Sequence, residues 1–483
     1  MDTRTKIVAT LGPASEPPAV LEAMLLAGVD VVRLNLSHGD LDAHLVRLAA
    51  VRETADRLGL VVAVLADLPG PKVRAGQFPD GGVLLVEGAL LDMVPVVGDV
   101  SSSVSTAQVV SVDYPSLLDD LHPGDRVVLG DGAITLEAVE RRDAAMVVRV
   151  RTGGRVQGRP GVHLPSERLR LTAPTDDDLV LARRMVDAGA DFLAVSFIRS
   201  AEDLRKVRAA VAPSTTRLVA KIETMHAVSD LAAIVDEADA VMVARGDLGI
   251  EYPLEEVPHL QKKIIRFCVE AGVPVITATQ MMESMIVSPA PTRAEVSDVA
   301  NAVFDGTDAL MLSAETAVGA DPAEVVRTMV RVAGRAEAEA SYRQWASRLG
   351  RLQRTTWADG ADRIAMAITH AAAMASNDTG AQAILCCSRS GRTVRAMARF
   401  RPMAVLVGLS PDPATVRALA LSWGVVPMAV EEYDSTDELV WFAVERSVQS
   451  GIAATGDTVL VLAGAPDRGS GSSTDVLRIV RVA

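Results

Sequence analysis

Eight short runs of Val, Ala, Ile and Leu, each ending in polar residues, constrain this chain more than any other feature of it. In chain order they read KIVATLG, VDVVRLNLSHG, LVVAVLADLPGP, DFLAVSF, RLVAKIET, AVMVARGD, VPVITATQ and ALMLSAET. A strand buried on both faces loses the apolar–polar alternation of a half-exposed one and becomes a continuous apolar run. Stretches of helical period, such as EEVPHLQKKIIRFCVEAG, separate most of the runs. That alternation is the mark of parallel strands joined by helices. Eight such units predict an α/β chain built on a (β/α)8 TIM barrel, with its active site at the C-terminal ends of the strands. A doubly wound open sheet meets the same pattern, because counting strands does not prove closure.

Between the third and fourth runs, from Gly70 to about Arg170, the character changes. VLLVEG, AQVVSVD, DRVVLGDGAITLEAVE and AAMVVRVRT are short β-type runs broken by Gly, Pro and Asp, and Asp131-Gly132 reads as a hairpin turn. The expected division is a catalytic barrel over 1–69 and 171–340, with a small all-β domain over 70–170 inserted as a lid. Beyond SYRQWASRLGRLQRTTWADG, a connector, helix and strand alternate again in AQAILCCS, MAVLVGLS, VVPMAV, DTVLVLAG and TDVLRIVRV. This predicts a C-terminal α/β domain over 341–483. GSGSS at 469–473 reads as a loop.

The balance of 48 basic and 62 acidic residues, a net charge of −14, argues against a general phosphate-backbone binder. It leaves room for a local basic pocket. Cys268, Cys386 and Cys387 have neither disulfide-framework nor zinc-ligand spacing. No signal-peptide pattern opens the chain and no run reaches the length of a membrane span. The expectation is a cytoplasmic protein with neither membrane nor nucleic acid as partner.

Charged residues gather where the barrel reading puts chemistry. Lys221 and Glu223 end the fifth run, Asp247 the sixth and Thr279 the seventh, while Arg33, Asn35, Ser37 and His38 end the second. Side chains two apart on a strand share a face, so Lys221 and Glu223 point the same way. Taken alone, Lys-x-Glu is more often a self-neutralising ion pair than a site, and Arg245 reads as a brace for the rim. Complementary groups on several strand ends shift the balance. Glu223 and Asp247 on neighbouring strands suit Mg²⁺, which takes one or two carboxylates and leaves its other positions to water and substrate. Lys221 and Arg33 beside that metal suit a multiply charged anion such as a phosphorylated acid, and backbone N–H groups around Gly246 and Asp247 offer a further anion cradle.

TKIVATLGPAS, RLNLSHG, GPKVRAG, KIE, VMVARGDLGIEYPLEEVPHLQKKII, VITATQMMESMIVSPAPTRAEVSDVANAVFDGTDALMLSAETA and SGRTVRAMARFRP together resemble the pyruvate kinase family from end to end. The resemblance implies phosphoryl transfer from phosphoenolpyruvate to ADP, giving pyruvate and ATP with Mg²⁺. It implies Arg33 and Lys221 on the phosphate, with Lys221 stabilising the transferring group, and Glu223 and Asp247 on the metal. Gly246, Asp247 and Thr279 would cradle the carboxylate, with Thr279 placed for a proton relay. Asn35, Ser37, His38 and Arg74 match positions that meet the nucleotide. Family habit also implies a homotetramer and a phosphorylated allosteric effector, for which Ser388, Arg389, Ser390, Gly391, Arg392 and Thr393 form the candidate loop. A capped helix start explains that loop equally well.

The sequence departs from the family in places. Asn35, Ser37, Asp67 and the carbonyl of Leu68 match positions that hold a monovalent cation, and members needing one carry an acidic residue where this chain has Lys72. The Lys72 ammonium would stand in for K⁺, so activity is expected without it. GRPGVHLPS, with Pro160 and His163, replaces a Lys-Gly-(Val/Ile)-Asn pattern; Arg159 is the cation at hand there, and no nucleotide contact is assigned to this stretch. Two rivals share the residues: a Mg²⁺-dependent aldolase of the citrate-lyase type and a catalytically silent, metabolite-binding paralogue.

Overall fold

The computed structural model describes residues 3–483 except 97–102, 131, 133, 166–168, 341–344, 346–348, 350–360, 434 and 465–473. Asp131, most of the connector and the GSGSS loop therefore lie outside the described residues.

Strands β1 (Lys6–Thr10), β2 (Val31–Asn35) and β3 (Ala63–Asp67) precede the insertion. Within it lie β4 (Phe78–Leu85), β5 (Leu90–Pro95), β6 (Val109–Val112), β7 (Arg126–Leu129), β8 (Ile134–Arg141), β9 (Met146–Thr152), β10 (Gly154–Gly158) and β11 (Val162–His163). The barrel resumes with β12 (Phe192–Val195), β13 (Arg217–Ile222), β14 (Ala240–Ala244), β15 (Val275–Ala278) and β16 (Ala309–Leu312). It closes in the order β1-β16-β15-β14-β13-β12-β3-β2, which settles the choice against an open sheet.

Closure fixes which side chains look inward. Val8, Val31, Leu65, Phe192, Ala194, Val219, Met242, Ile276 and Met311 share one cluster that fills the barrel interior. Because strand side chains alternate, the interior set continues two residues further along each strand. That step lands on Thr10, Arg33, Asp67, Ser196, Lys221 and, one step further, Glu223. The barrel is plugged by apolar side chains below and capped by polar ones above.

The inserted segment forms a six-stranded sheet, β11-β7-β8-β9-β5-β6, with a separate pair β10-β4 and its own apolar core. Three of these strands escaped sequence reading: β5, polar-interrupted β10 between glycines, and two-residue β11. Where the chain leaves the barrel for the insertion, Gly70 has φ +67°, and a Cβ there would sit 2.8 Å from the Phe197 ring. Only glycine fits that turn.

The C-terminal sheet runs β19-β18-β17-β20-β21, from β17 (Ala383–Cys387), β18 (Val405–Ser410), β19 (Val425–Ala429), β20 (Thr458–Gly464) and β21 (Thr474–Arg481). Four strands are parallel and β21 is antiparallel to β20. This domain stoppers the barrel's other end: Ala418, Ala420 and Leu421 join the interior cluster. Ion pairs fasten it, buried Arg401 to Asp308 at 2.9 Å and half-buried Arg417 to Asp191 at 2.7 Å. Among the described residues no helix is long and apolar enough to cross a membrane.

Candidate active site

The polar cap centres on Asp67, which register places beside Asn35 on β2 and Ala194 on β12. Arg33 holds one carboxylate oxygen, with Nε and Nη2 each 2.7 Å from Asp67 Oδ2, and donates from Nη1 to Thr10 Oγ1 at 3.0 Å. Lys221 Nζ lies 3.3 Å from Asp67 Oδ1 and 3.4 Å from Glu223 Oε2. Its shortest contact is a 2.6 Å bond to Ser196 Oγ. The Ser196 hydroxyl donates in turn to the Leu68 carbonyl at 2.7 Å. So Lys221 and Glu223 do pair, as the plainer sequence reading had it, but loosely and within a larger group.

Sequence reasoning set two cations against two carboxylates. The structure adds Asp67 as a third carboxylate, so with Glu223 ionised the centre carries a net negative charge. A phosphorylated acid would be repelled unless a divalent cation reversed that sign.

Burial decides the protonation states. Desolvation alone would push Asp67 up, yet Lys221 and Arg33 hold it below the usual carboxylate value. Desolvation would lower Lys221, but Asp67, Glu223 and Asp247 outweigh it and raise its pKa. Glu223 goes the other way. Its burial pushes it up to about 7, against the pull of Lys221 and with Asp247 adding to the rise. Glu223 Oε1 accepts the Phe197 N–H at 2.5 Å, whereas buried Oε2 accepts no hydrogen bond. An orphaned, desolvated carboxylate oxygen is the donor a hard cation takes.

Asp247 does not end a strand, as expected from sequence; it lies half-buried on the first turn of a short helix, Arg245–Glu251, that follows β14 directly. No group of three or more His, Cys, Asp or Glu converges on a metal site among the described residues. The orphaned Glu223 oxygen, with Asp247 as a second carboxylate, fits a cation such as Mg²⁺ that makes few protein contacts.

Thr279 follows β15 with φ +67°, an outlier for a β-branched residue. Such a backbone costs on the order of 1–3 kcal/mol and persists only when its surroundings force it. Here Arg245 forces it, donating to the carbonyls of Ala278 at 3.1 Å and Thr279 at 2.6 Å while paired with Asp298 at 2.7 Å. The Gly246 N–H closes the clamp on Thr279 Oγ1 at 2.9 Å. Arg245 is thus a brace, as the sequence suggested, and Asp298 is a residue sequence reasoning missed. We expect Asp298→Ala to lower kcat roughly tenfold with little change in substrate KM, because a loosened positioning contact acts on the transition state. Steady-state kinetics on the variant check this, and an unchanged kcat would remove the clamp's importance.

The remaining candidates fall in three places. Asn35, Ser37 and His38 form a turn beyond β2, where Asn35 Oδ1 accepts the Ser37 N–H at 3.2 Å and the Asn35 carbonyl accepts the His38 N–H at 3.3 Å. Lys72 and Arg74 lie in the segment that leads from β3 into the insertion. Lys72 is exposed beside Gly161, and Arg74 reaches the Arg159 carbonyl at 3.4 Å. Arg159 itself turns to the Ala75 carbonyl at 3.4 Å. Ser388–Thr393 lie in the C-terminal domain, at the turn before the helix Arg392–Ala398. Gly391 has φ +75°, Arg389 pairs with Glu432 at 3.6 Å, and the Thr393 hydroxyl is buried against Thr474 Oγ1.

Ser196 was also missed, although the rule that picked Lys221, a polar side chain on the inward parity at a strand's end, would have found it. Asp67 was read only as a monovalent-cation position; nothing in sequence shows that it meets Arg33 and Lys221.

A family model described as pyruvate kinase, barrel domain, matches residues 2–326, and one described as pyruvate kinase, alpha/beta domain, matches residues 366–480. A pyruvate kinase of Geobacillus stearothermophilus is 40% identical, over 99% of this chain and 80% of that protein. One from Methylorubrum extorquens is 39% identical over 99% of this chain and 97% of its own, and one from Clostridium acetobutylicum 37% over 99% of each. A barrel capped by these residues and a match along nearly the whole length lead to one assignment: the chain belongs to the pyruvate kinase family.

Proposed function

We propose that this chain transfers the phosphoryl group of phosphoenolpyruvate to ADP, forming pyruvate and ATP, with Mg²⁺ on Glu223 and Asp247. The observation that carries the reading is the orphaned Glu223 oxygen 3.4 Å from a buried, protonated Lys221. Bound there, Mg²⁺ supplies charge neutralisation and a template for substrate oxygens. Arg33, fixed in its fork by Asp67 and Thr10, offers its guanidinium edge to the phosphate. Lys221 places an ammonium where charge builds on the transferring group, and its raised pKa keeps it charged throughout. Thr279, locked by Arg245 and Gly246, presents a hydroxyl of fixed direction at the carboxylate end, suited to relaying a proton to the enolate. Asn35, Ser37, His38 and Arg74 take the nucleotide.

We further propose that the reaction needs no K⁺. Asp67 is already engaged by Arg33 and Lys221, and the Leu68 carbonyl by Ser196. Two of the four positions that would hold the ion thus have donors from the chain itself. Lys72 carries a positive charge on a flexible stem in the same DLPGPKVR stretch as Asp67 and Leu68. Pyruvate formation from phosphoenolpyruvate, ADP and Mg²⁺ in potassium-free buffer tests both proposals. Turnover is expected to change by less than about twofold on adding K⁺ at constant ionic strength, whereas Lys72→Glu should become K⁺-activated at least about tenfold. Many-fold activation of the wild type by K⁺ would discard the role of Lys72 while keeping the kinase. No turnover in either buffer would discard the kinase.

A further inference from the structure

Beyond β2, the turn from Ser37 to Asp40 stands out on the rim, half-buried at Ser37 and exposed from His38 to Asp40. Beneath it lies His44, 3% exposed, one turn into the helix Leu41–Leu58. Asp40 caps that helix, its Oδ1 accepting the Ala43 N–H at 2.8 Å, so the helix start is fixed relative to the turn. Helix side chains lean toward the N-terminus, which carries the His44 ring back under the preceding loop. There Nε2 lies 2.7 Å from the His38 carbonyl oxygen, and Nδ1 lies 3.3 Å from Arg47 Nη1. A carbonyl accepts and a guanidinium donates, so the ring is the neutral tautomer with its proton on Nε2. Arg47 also pairs with Glu16 at 2.5 Å, in the loop that follows β1. A continuous line, Glu16–Arg47–His44–His38, therefore ties the loop beyond β1 to the loop beyond β2.

We propose that His44 is a positioning residue for the nucleotide: its Nε2–H holds the His38 carbonyl and so fixes the turn that carries Asn35, Ser37 and His38. The proposal rests on the reading that this turn meets the nucleotide. The carbonyl lies outside the regular bonding of strand and helix, and Gly39 beside it is left-handed at φ +78°. The bonds within the turn use the Asn35 oxygens and the Ser37 and His38 N–H groups. His44 is therefore what meets the His38 carbonyl from inside the protein, and its loss would leave that carbonyl's bond unmade. Burial holds His44 below its ordinary pKa, with Arg47 working in the same direction, so the neutral tautomer persists at neutral pH.

Two amides separate positioning from packing. Gln places its amide nitrogen near the position of imidazole Nε2 and can donate to the His38 carbonyl. Asn reaches only as far as Nδ1. His44→Gln is expected to keep the ADP KM within about twofold of wild type, and His44→Asn to raise it about tenfold while leaving the phosphoenolpyruvate KM unchanged. Equal effects of the two amides, a parallel rise in both KM values, or failure of both variants to fold would each assign His44 to packing and overturn the proposal. ADP titrated by calorimetry into the wild type separates the underlying reading. Absence of ADP binding sinks the nucleotide assignment, whereas wild-type binding matched by the Asn variant sinks His44 alone.

Discussion

Lys221→Ala is expected to abolish pyruvate formation, lowering kcat by at least about a thousandfold, more than loss of a single oxyanion donor usually costs. The ammonium has no substitute. Arg33 is committed through Nε and Nη2 to Asp67 and through Nη1 to Thr10, so it cannot swing across to the vacated position. Lys221→Arg should not rescue, because a planar fork does not fit a pocket built for a compact ammonium between Ser196, Asp67 and Glu223. The substitution also removes a cation facing two buried carboxylates, and breaking a buried pair costs on the order of 3–5 kcal/mol. Here part of that cost is offset, since Arg33 still neutralises Asp67 and Glu223 can take a proton. A folded variant with a lowered melting temperature and no turnover is the expected pair of results. Activity within tenfold of wild type in a folded Lys221→Ala would remove Lys221 from the chemistry.

The barrel was legible because its strands are buried on both faces, which leaves continuous aliphatic runs that surface strands do not show. All eight runs became barrel strands. The polar cap was legible for a related reason: side chains on the inward parity at the ends of such runs gather over the apolar plug. What stayed hidden depends on distances around the ring. Asp67 on β3 and Lys221 on β13 are far apart in sequence and meet only because β12 alone separates their strands. Backbone strain at Thr279 was invisible too, since threonine carries no signal of a left-handed φ; its cause is a guanidinium from the helix that follows the adjacent strand. The inserted domain was read less well. β10 and β11 hold few apolar residues and are made strands by their partners, with Gly158 and register shifts opposite β4 setting the bend.

Glu223 yields a prediction in which stability and function move in opposite directions. Its folded-state pKa is about 7, above the ordinary carboxylate value, because burial and Asp247 outweigh Lys221. A carboxylate raised on folding favours the protonated fold, so its contribution to stability is intact in acid and lost as pH rises from the ordinary carboxylate range through about 7. Glu223→Gln keeps the acceptor for the Phe197 N–H but cannot ionise. Without metal, the variant should therefore melt higher than wild type at pH 8 and alike near pH 4.5, the lower pH lying in the ordinary carboxylate range. Adding Mg²⁺ should raise the wild-type melting temperature at pH 8 and leave the variant where it was, since ligand stabilisation needs the ligand's site. The same proton competes with the cation: below about pH 7, wild-type Mg²⁺ affinity should weaken as Glu223 takes it up. Turnover by Glu223→Gln should fall about a thousandfold at saturating substrate, because an amide oxygen brings no charge to the cation that holds the phosphate. A variant that is less stable than wild type at pH 8 without metal, yet still answers to Mg²⁺, would show that Glu223 serves Lys221 as a structural partner and that the cation is held elsewhere.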